Sequence, residues 1–190
     1  MSILARFLDL YLRSSVHVAL SAASLVLMTQ HVFGLAYDMP MILFVFFGTI
    51  TGYNFVKYDE IARVRTAIVS RGIRAIAVLS FASFVGAAMC FLQFRWTTQL
   101  LSVAVLALTA LYTLPFFPNR RNARNWAGVK IYIVSLCWVG VTMVLPLVDA
   151  GVGLSADFIL KCVQRFLLVF SLVLIFEIVD MEKDDPHLQT

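Results

Sequence analysis

Three carboxylates with helical spacing stand near the end of the chain. Glu177, Asp180 and Asp184 occupy positions i, i+3 and i+7, so on a helix they project from one face. Three negative charges so close together repel one another, and the C-terminal end of a helix adds negative potential of its own. The spacing therefore predicts a bound cation. Ligands that are all oxygen favour a hard ion such as Mg²⁺, which commonly bridges protein carboxylates to a substrate diphosphate.

A solvated acidic flank after a membrane span explains these three residues equally well on spacing alone. Glu177 favours the metal site, because it follows directly on an apolar run that ends at Phe176. If the ligand is a diphosphate leaving group, neutralisation of its charge would assist cleavage of its bond to carbon.

A second polar cluster ends an earlier apolar run, at residues 51–60. Asn54 and Asp59 are its candidate metal ligands, and Lys57 is a candidate contact to a diphosphate. Asn54 and Asp59 are five residues apart and about 140° out of phase on a helix, so shared coordination requires the helix to end or unwind. A capped span followed by an interfacial loop is the alternative.

A basic stretch that also contains prolines and aromatic residues covers residues 112–130. Arginine forks match phosphate oxygens, so this stretch is predicted to close over a lipid diphosphate. Topogenic charge and contact with anionic lipids are the alternative explanation. The cationic candidates for binding a diphosphate are Lys57, Arg120, Arg121 and Lys130.

Membrane helices are the elements that must position these residues. The chain has 190 residues, is 61% hydrophobic and 14% charged, and has a mean hydropathy of +0.89, whereas a soluble domain has roughly 25% charged residues. An apolar run of about 20 residues crosses a bilayer. We predict an all-α, polytopic transmembrane bundle with spans at residues 15–37, 39–56, 74–94, 97–117, 130–148 and 158–180.

The first and sixth spans contain polar residues, and the direction of their side chains can be predicted. Near the start of the sixth span, Lys161 and Arg165 should reach the headgroups, since long cationic side chains snorkel from helix ends. In the first span, four polar residues form one stripe that should face other helices, because polar side chains in spans usually turn inward. They are His17, Ser21, Ser24 and His31.

The distribution of the 15 lysines and arginines follows the topology of the spans. Most precede the first span or lie in the connections after spans two and four. The positive-inside rule then places the N-terminus and the ends of spans two, four and six in the cytoplasm. Cations arranged in this way do not form the basic face that nucleic-acid binding needs. The predicted organisation is an interfacial amphipathic segment at 1–13, one transmembrane domain at 14–185 and a tail at 186–190.

The order of these features resembles the UbiA-type intramembrane prenyltransferases, above all bacterial members. The resemblance covers nearly the whole chain, and its second acidic motif is the most specific part. The residues that carry the resemblance are Asn54 at the end of span two, the basic loop from Tyr112 to Arg120 after span four, Gly128-x-Lys130 opening span five, and the second acidic motif Glu177-x-x-Asp180-x-x-x-Asp184 ending span six.

This resemblance implies a helical bundle with a central cavity in a bacterial inner membrane, with Mg²⁺, a polyprenyl diphosphate donor and a lipophilic, aromatic acceptor. Asp180 and Asp184 would bind the metal and be the catalytic residues. Glu177 would stand where the family usually has Asp or Asn, and Asn54 would be the remaining Asn of the first motif. Tyr112, Arg120 and Lys130 would contact the diphosphate.

Two departures from the family pattern are apparent. Phe55 and Tyr58 occupy both aspartate positions of the first motif, with Asp59 and Glu60 just beyond. Family members also continue for several helices after the second motif, so we expect a fragment that is completed by missing helices or by another subunit. Two alternatives stay open, namely a catalytically degenerate relative that binds a lipid phosphate or a partner, and a transporter or scaffold fragment.

Overall fold

The computed structural model describes residues 8, 11–64, 71–113 and 129–184, with side chains at 8, 11–58, 72–110 and 131–179. This part of the chain is helical and contains no strand, which confirms the predicted all-α class. A π-helical segment, Gly140–Val144, joins the fifth and sixth of its α-helices. The helices are α1 (Val16–Val32), α2 (Met39–Val64), α3 (Arg71–Phe91), α4 (Trp96–Thr113), α5 (Val129–Val139), α6 (Leu145–Asp149) and α7 (Ala156–Asp184).

Each of the six predicted spans overlaps one of these helical stretches. Within the described residues, four stretches are long and apolar enough to cross a bilayer, so the chain is a helical membrane protein. The other two are shorter: α1 has 17 residues, about 25 Å of helix against the roughly 30 Å of a hydrocarbon core. The four are Met39–Tyr58, Gly72–Phe91, Ile131–Asp149 and Ala156–Val179.

The chain divides into two compact units, Met1–Gln99 and Leu100–Thr190. In the first unit α2 packs between α1 and α3. Gly86 of α3 lies against the ring of Phe47, so closely that a Cβ at this position would be 2.9 Å from the ring. Absence of a side chain at a helix contact is a common means of close approach between membrane helices.

The face that α1 buries is not the predicted polar stripe. Ser21, Ser24 and His31 are exposed, and the two serines donate to main-chain oxygens four residues back, at 3.0 and 2.9 Å. The expectation is therefore wrong for these three residues, whereas His17, the fourth residue of the stripe, is half-buried and its Nδ1 is buried. Small and mixed residues form the buried face instead, namely Ala19, Ala22, Ala23, Val26, Thr29 and Gln30.

The connection between α1 and α2 is a tight turn with a cap at each end. Gly34 adopts a left-handed φ of +63°, and Leu35 N–H donates to Gln30 O at 2.8 Å, which is the pattern of a glycine-terminated helix. Asp38 then accepts a hydrogen bond from Met41 N–H at 3.2 Å and caps the start of α2. The turn from α6 to α7 repeats this arrangement with Gly151 at φ +73° and a Ser155 cap.

In the second unit α5 packs on α7. Tyr132 of α5 contacts Phe166 and Phe170 of α7, with ring centroids 6.5 and 5.1 Å apart. The two phenylalanines stack on each other at 5.8 Å. This aromatic cluster forms part of the contact between α5 and α7.

One turn of the helical stretch from Val129 to Asp149 is wound as a π-helix. Leu145 N–H donates to Gly140 O, five residues back instead of four. The next residue, Pro146, has no N–H, and in a regular α-helix its ring would collide with the carbonyl of Thr142. A turn that holds one more residue accommodates the proline. The apolar pattern of this span gave no indication of a π-helical turn.

Arg165 contradicts the expectation that it reaches the headgroups. Its side chain is 5% exposed, and Nη1 donates to Oγ1 of Thr142 in the π-helical segment at 3.1 Å. Thr142 Oγ1 in turn donates to Trp138 O at 2.7 Å. A charged group inside an apolar helix contact needs such partners, because leaving it without hydrogen bonds there is costly.

Removal of one residue from the π-helical segment should leave the fold intact. Deletion of Val141 combined with Pro146→Ala restores an α-helical turn while the flanking helices keep their buried faces. Deletion of Leu136 in the same Pro146→Ala background is the matched control, because it rotates one flank by about 100°. By circular dichroism in detergent, we expect a Tm within a few degrees of the parent for the first variant and a loss of about 10 °C or more for the control. Equal losses in both variants would contradict this explanation of the segment.

Candidate functional site

The acidic motif lies on an uninterrupted helix. Helix α7 runs from Ala156 to Asp184, so the backbone positions of Glu177, Asp180 and Asp184 fall within about 60° of one another around its axis. Glu177 is half-buried, and the side chains of Asp180 and Asp184 lie outside the described residues. The regular helix supplies the condition on which the predicted shared face depends.

Asn54 is held in the contact between α2 and α3. It is 3% exposed, and its Nδ2 donates to Ser80 Oγ at 2.9 Å. Its Oδ1 is buried without a hydrogen-bond partner among the described residues. Since buried polar atoms are nearly always satisfied, an oxygen left in this state is an acceptor for a ligand, a water molecule or a cation.

Ser80 and Thr51 complete a small polar contact around Asn54. Ser80 Oγ donates to Ile76 O at 2.8 Å, which leaves its lone pairs for the Asn54 amide. Thr51 Oγ1 lies 3.0 Å from Phe47 O on its own helix and 3.3 Å from Ser80 O on the neighbouring one. The Ser80 hydroxyl thus orients the Asn54 amide, and Thr51 links the two helices one turn of α2 away.

Asp59 stands on the same regular helix as Asn54. Helix α2 continues to Val64, beyond the predicted end of the span at residue 56, and its backbone sets the two positions about 140° apart. The helix neither ends nor unwinds between them, so joint coordination of one ion by Asn54 and Asp59 requires a local change in α2. The side chain of Asp59 lies outside the described residues.

Lys57 and Tyr58 both contact the segment that precedes α1. Lys57 Nζ lies 3.4 Å from Arg13 O, and the Tyr58 hydroxyl donates to the same oxygen at 3.0 Å. Phe55, at the other position where the resemblance implies an aspartate, is 51% exposed. The predicted diphosphate contact, Lys57, is thus an exposed cation next to an anchoring tyrosine.

The remaining predicted diphosphate ligands fall on parts of the chain whose side chains are not described. Arg120 and Arg121 lie outside the described residues altogether. Tyr112 belongs to α4 and Lys130 to the first turn of α5, where only the backbone is described. Their assignment stays a prediction.

A groove at the opposite end of α2 contains none of the predicted site residues. Its volume is about 540 Å³. His31 and Tyr37 are its polar groups, and its lining residues are Leu27, Met28, His31, Tyr37 and Met39. Asn54 stands four helical turns or so farther along α2, about 23 Å from Met39 by helix rise, so the groove and the polar contact are separate features.

No family model, curated protein or solved structure matches the chain. Among the side chains that the structure describes, no three His, Cys, Asp or Glu residues are placed to share a metal ion. Two candidate residues, Ser80 and Arg165, were not predicted from the sequence as parts of a site. Nothing in the sequence distinguishes Ser80, since serine is common in membrane helices. Arg165 could have been noted, because a cation inside a span generally indicates a role beyond packing.

Replacement of Ser80 by alanine should destabilise the contact between α2 and α3. The variant removes the acceptor of the Asn54 amide, and a hydrogen bond between membrane helices contributes about 0.6 to 1.7 kcal/mol. Ser24→Ala is the control, because Ser24 is exposed and its hydroxyl donates to a main-chain oxygen of its own helix. Free energies of unfolding in bicelles, measured by steric trapping, should fall for Ser80→Ala by more than for Ser24→Ala. Equal values would show that the Asn54 bond contributes nothing.

Proposed function

We propose that this protein transfers a prenyl group from a polyprenyl diphosphate to a lipophilic, aromatic acceptor in a Mg²⁺-dependent reaction within a bacterial inner membrane. The observation that carries the proposal is the continuity of α7, which supports a shared face for Glu177, Asp180 and Asp184 at the end of an apolar span. An apolar helix that ends in acidic residues suits a substrate with a lipid tail and a charged head.

The chemistry divides between the apolar and the charged parts of the substrate. The bond between the allylic carbon and the diphosphate oxygen breaks, and its electron pair leaves with the diphosphate. The acceptor forms a bond to that carbon and loses a proton. Apolar helix surfaces would hold the prenyl chain away from water, and cationic residues such as Lys57 and Arg120 would bind the phosphate oxygens.

The acidic motif has the chemistry of a magnesium site. Glu177, Asp180 and Asp184 offer carboxylate oxygens. In the other unit, the amide oxygen of Asn54 has no partner among the described residues and is a separate candidate ligand. Mg²⁺ prefers oxygen ligands of this kind and keeps part of its water shell. When bound, the ion would neutralise the charge of the diphosphate leaving group.

Asp180→Ala should abolish the reaction. Membranes that contain the protein are incubated with radiolabelled prenyl diphosphates and a panel of lipophilic aromatic acceptors, with Mg²⁺ or with EDTA, and labelled product is counted. Loss of a residue that stabilises developing charge lowers turnover by about 100-fold or more.

Asp157→Asn is the matched control for this assay. Asp157 is exposed and lies in the first turn of the same helix, at the end opposite to the acidic motif, so its variant should retain wild-type turnover. Absence of any magnesium-dependent product from the wild-type protein would rule out the proposed transferase for the substrates tested.

Tyr58 favours a second candidate, a family relative that binds a prenyl diphosphate without turning it over. Its hydroxyl anchors Arg13 O at a position where the resemblance requires a metal-binding aspartate. Calorimetry with a prenyl diphosphate and Mg²⁺ separates the two candidates. Binding of the diphosphate without labelled product supports the second, and absence of both excludes it as well.

A further inference from the structure

A buried arginine joins α7 to the irregular turn of the preceding helix. Arg165 is 5% exposed, although only 11% of the apolar part of α7, Ala156–Val179, is buried. The guanidinium is therefore turned to the protein side of a helix whose surface is otherwise mostly uncovered. It donates to Thr142 Oγ1 at 3.1 Å, and Thr142 lies at the centre of the π-helical segment Gly140–Val144.

The main chain of this segment has fewer hydrogen bonds than a regular helix. Leu145 N–H donates to Gly140 O and so is not used for the carbonyl four residues back, that of Val141. The next possible donor is Pro146, which has no N–H. The Val141 carbonyl thus receives no N–H from its own helix, and a helix bends most easily where such bonds are missing.

Contacts with α4 meet the segment at its start. A Cβ at Gly140 would be 2.9 Å from Val105 Cγ2, so glycine is needed for the approach of α4 at this point. One turn earlier, Thr109 of α4 donates to Cys137 Sγ at 3.5 Å. The side chains around the segment thus tie it to α4 on one side and to α7 through Arg165 on another.

We propose that Gly140–Val144 is a hinge between α5 and α6 and that the Arg165–Thr142 hydrogen bond is the latch that holds it in its present conformation. Loss of the latch lets α5 tilt relative to α6 and α7, while α6 keeps its position through the capped turn at Gly151. Since Lys130 stands in the first turn of α5, tilting moves a predicted diphosphate-binding residue. That consequence rests on the proposed function, whereas the hinge does not.

Distances between spin labels in the full chain, reconstituted in lipid nanodiscs, test the latch. The background replaces the three native cysteines, with alanine at Cys90 and Cys162 and with serine at Cys137, whose hydroxyl can still accept a hydrogen bond from Thr109. Labels at exposed Leu136 and Leu160 report on α5 against α7, and labels at exposed Ala150 and Leu167 report on α6 against α7. Leu136 is six residues, about 9 Å, from Thr142, so a kink of about 20° displaces it by about 3 Å.

Arg165→Met and Thr142→Val each remove one side of the latch. We expect both to shift or broaden the Leu136–Leu160 distance distribution by about 3 Å or more and to leave the Ala150–Leu167 distribution unchanged. Lys161→Met, which removes a cation one turn away on the same helix, is the control and should change neither distribution. If Arg165→Met fails to fold, Thr142→Val alone decides.

Two outcomes would overturn the hinge. In the first, folded variants give the parent distribution for Leu136–Leu160, and the latch then holds nothing. In the second, both label pairs change together, which means that α7 as a whole has moved and that the segment is no hinge. Neither outcome bears on prenyl transfer, which is measured separately by labelled product.

Discussion

Main-chain N–H and C=O groups inside a bilayer must find partners within the protein, because the hydrocarbon offers none. The described part of the chain satisfies this requirement with helices, and its short connections continue the pattern. At Gly34 and Gly151 the chain turns so that the N–H of the following residue donates to a carbonyl in the last turn of the helix. The side chains of Asp38 and Ser155 accept main-chain N–H groups at the start of the next helix. The requirement makes the exception at Pro146 informative, since a missing donor cannot be replaced by water.

Polar side chains inside the two units also need hydrogen-bond partners, and in each unit two of them bond to each other. In the first unit the amide of Asn54 bonds to Ser80 across a helix contact, and in the second the guanidinium of Arg165 bonds to Thr142. Such bonds fix which faces of two apolar helices meet, because lipid tails compete equally for every apolar face. The two pairs therefore set helix rotation in the units to which they belong, beyond what apolar packing alone would specify.

The sequence predicted the helices well and their buried faces poorly. Length and hydropathy indicate a span, whereas the buried face is normally read from the alternation of polar and apolar residues, which is weak when nearly every residue is apolar. On α1 the stripe of Ser21, Ser24 and His31 is exposed, since each serine bonds to its own helix and needs no neighbour. A shared face for the three acidic residues of α7 could be predicted from the sequence because it depends only on helix continuity. The partner of Asn54 could not, since Ser80 lies 26 residues away in sequence and no local pattern marks it.

Tyr58 makes a local contact at a position where the resemblance to the prenyltransferases implies an aspartate. The Arg13 main-chain oxygen is an acceptor, and the tyrosine hydroxyl donates to it. An ionised aspartate at position 58 has no proton to donate and would face that oxygen with like charge, so it could not make this contact. An aspartate at this position, as the resemblance implies, would therefore not anchor the segment before α1 as Tyr58 does. This chain has the anchor, which leaves the carboxylates of α7 as the main candidates for binding a metal ion in the proposed transferase.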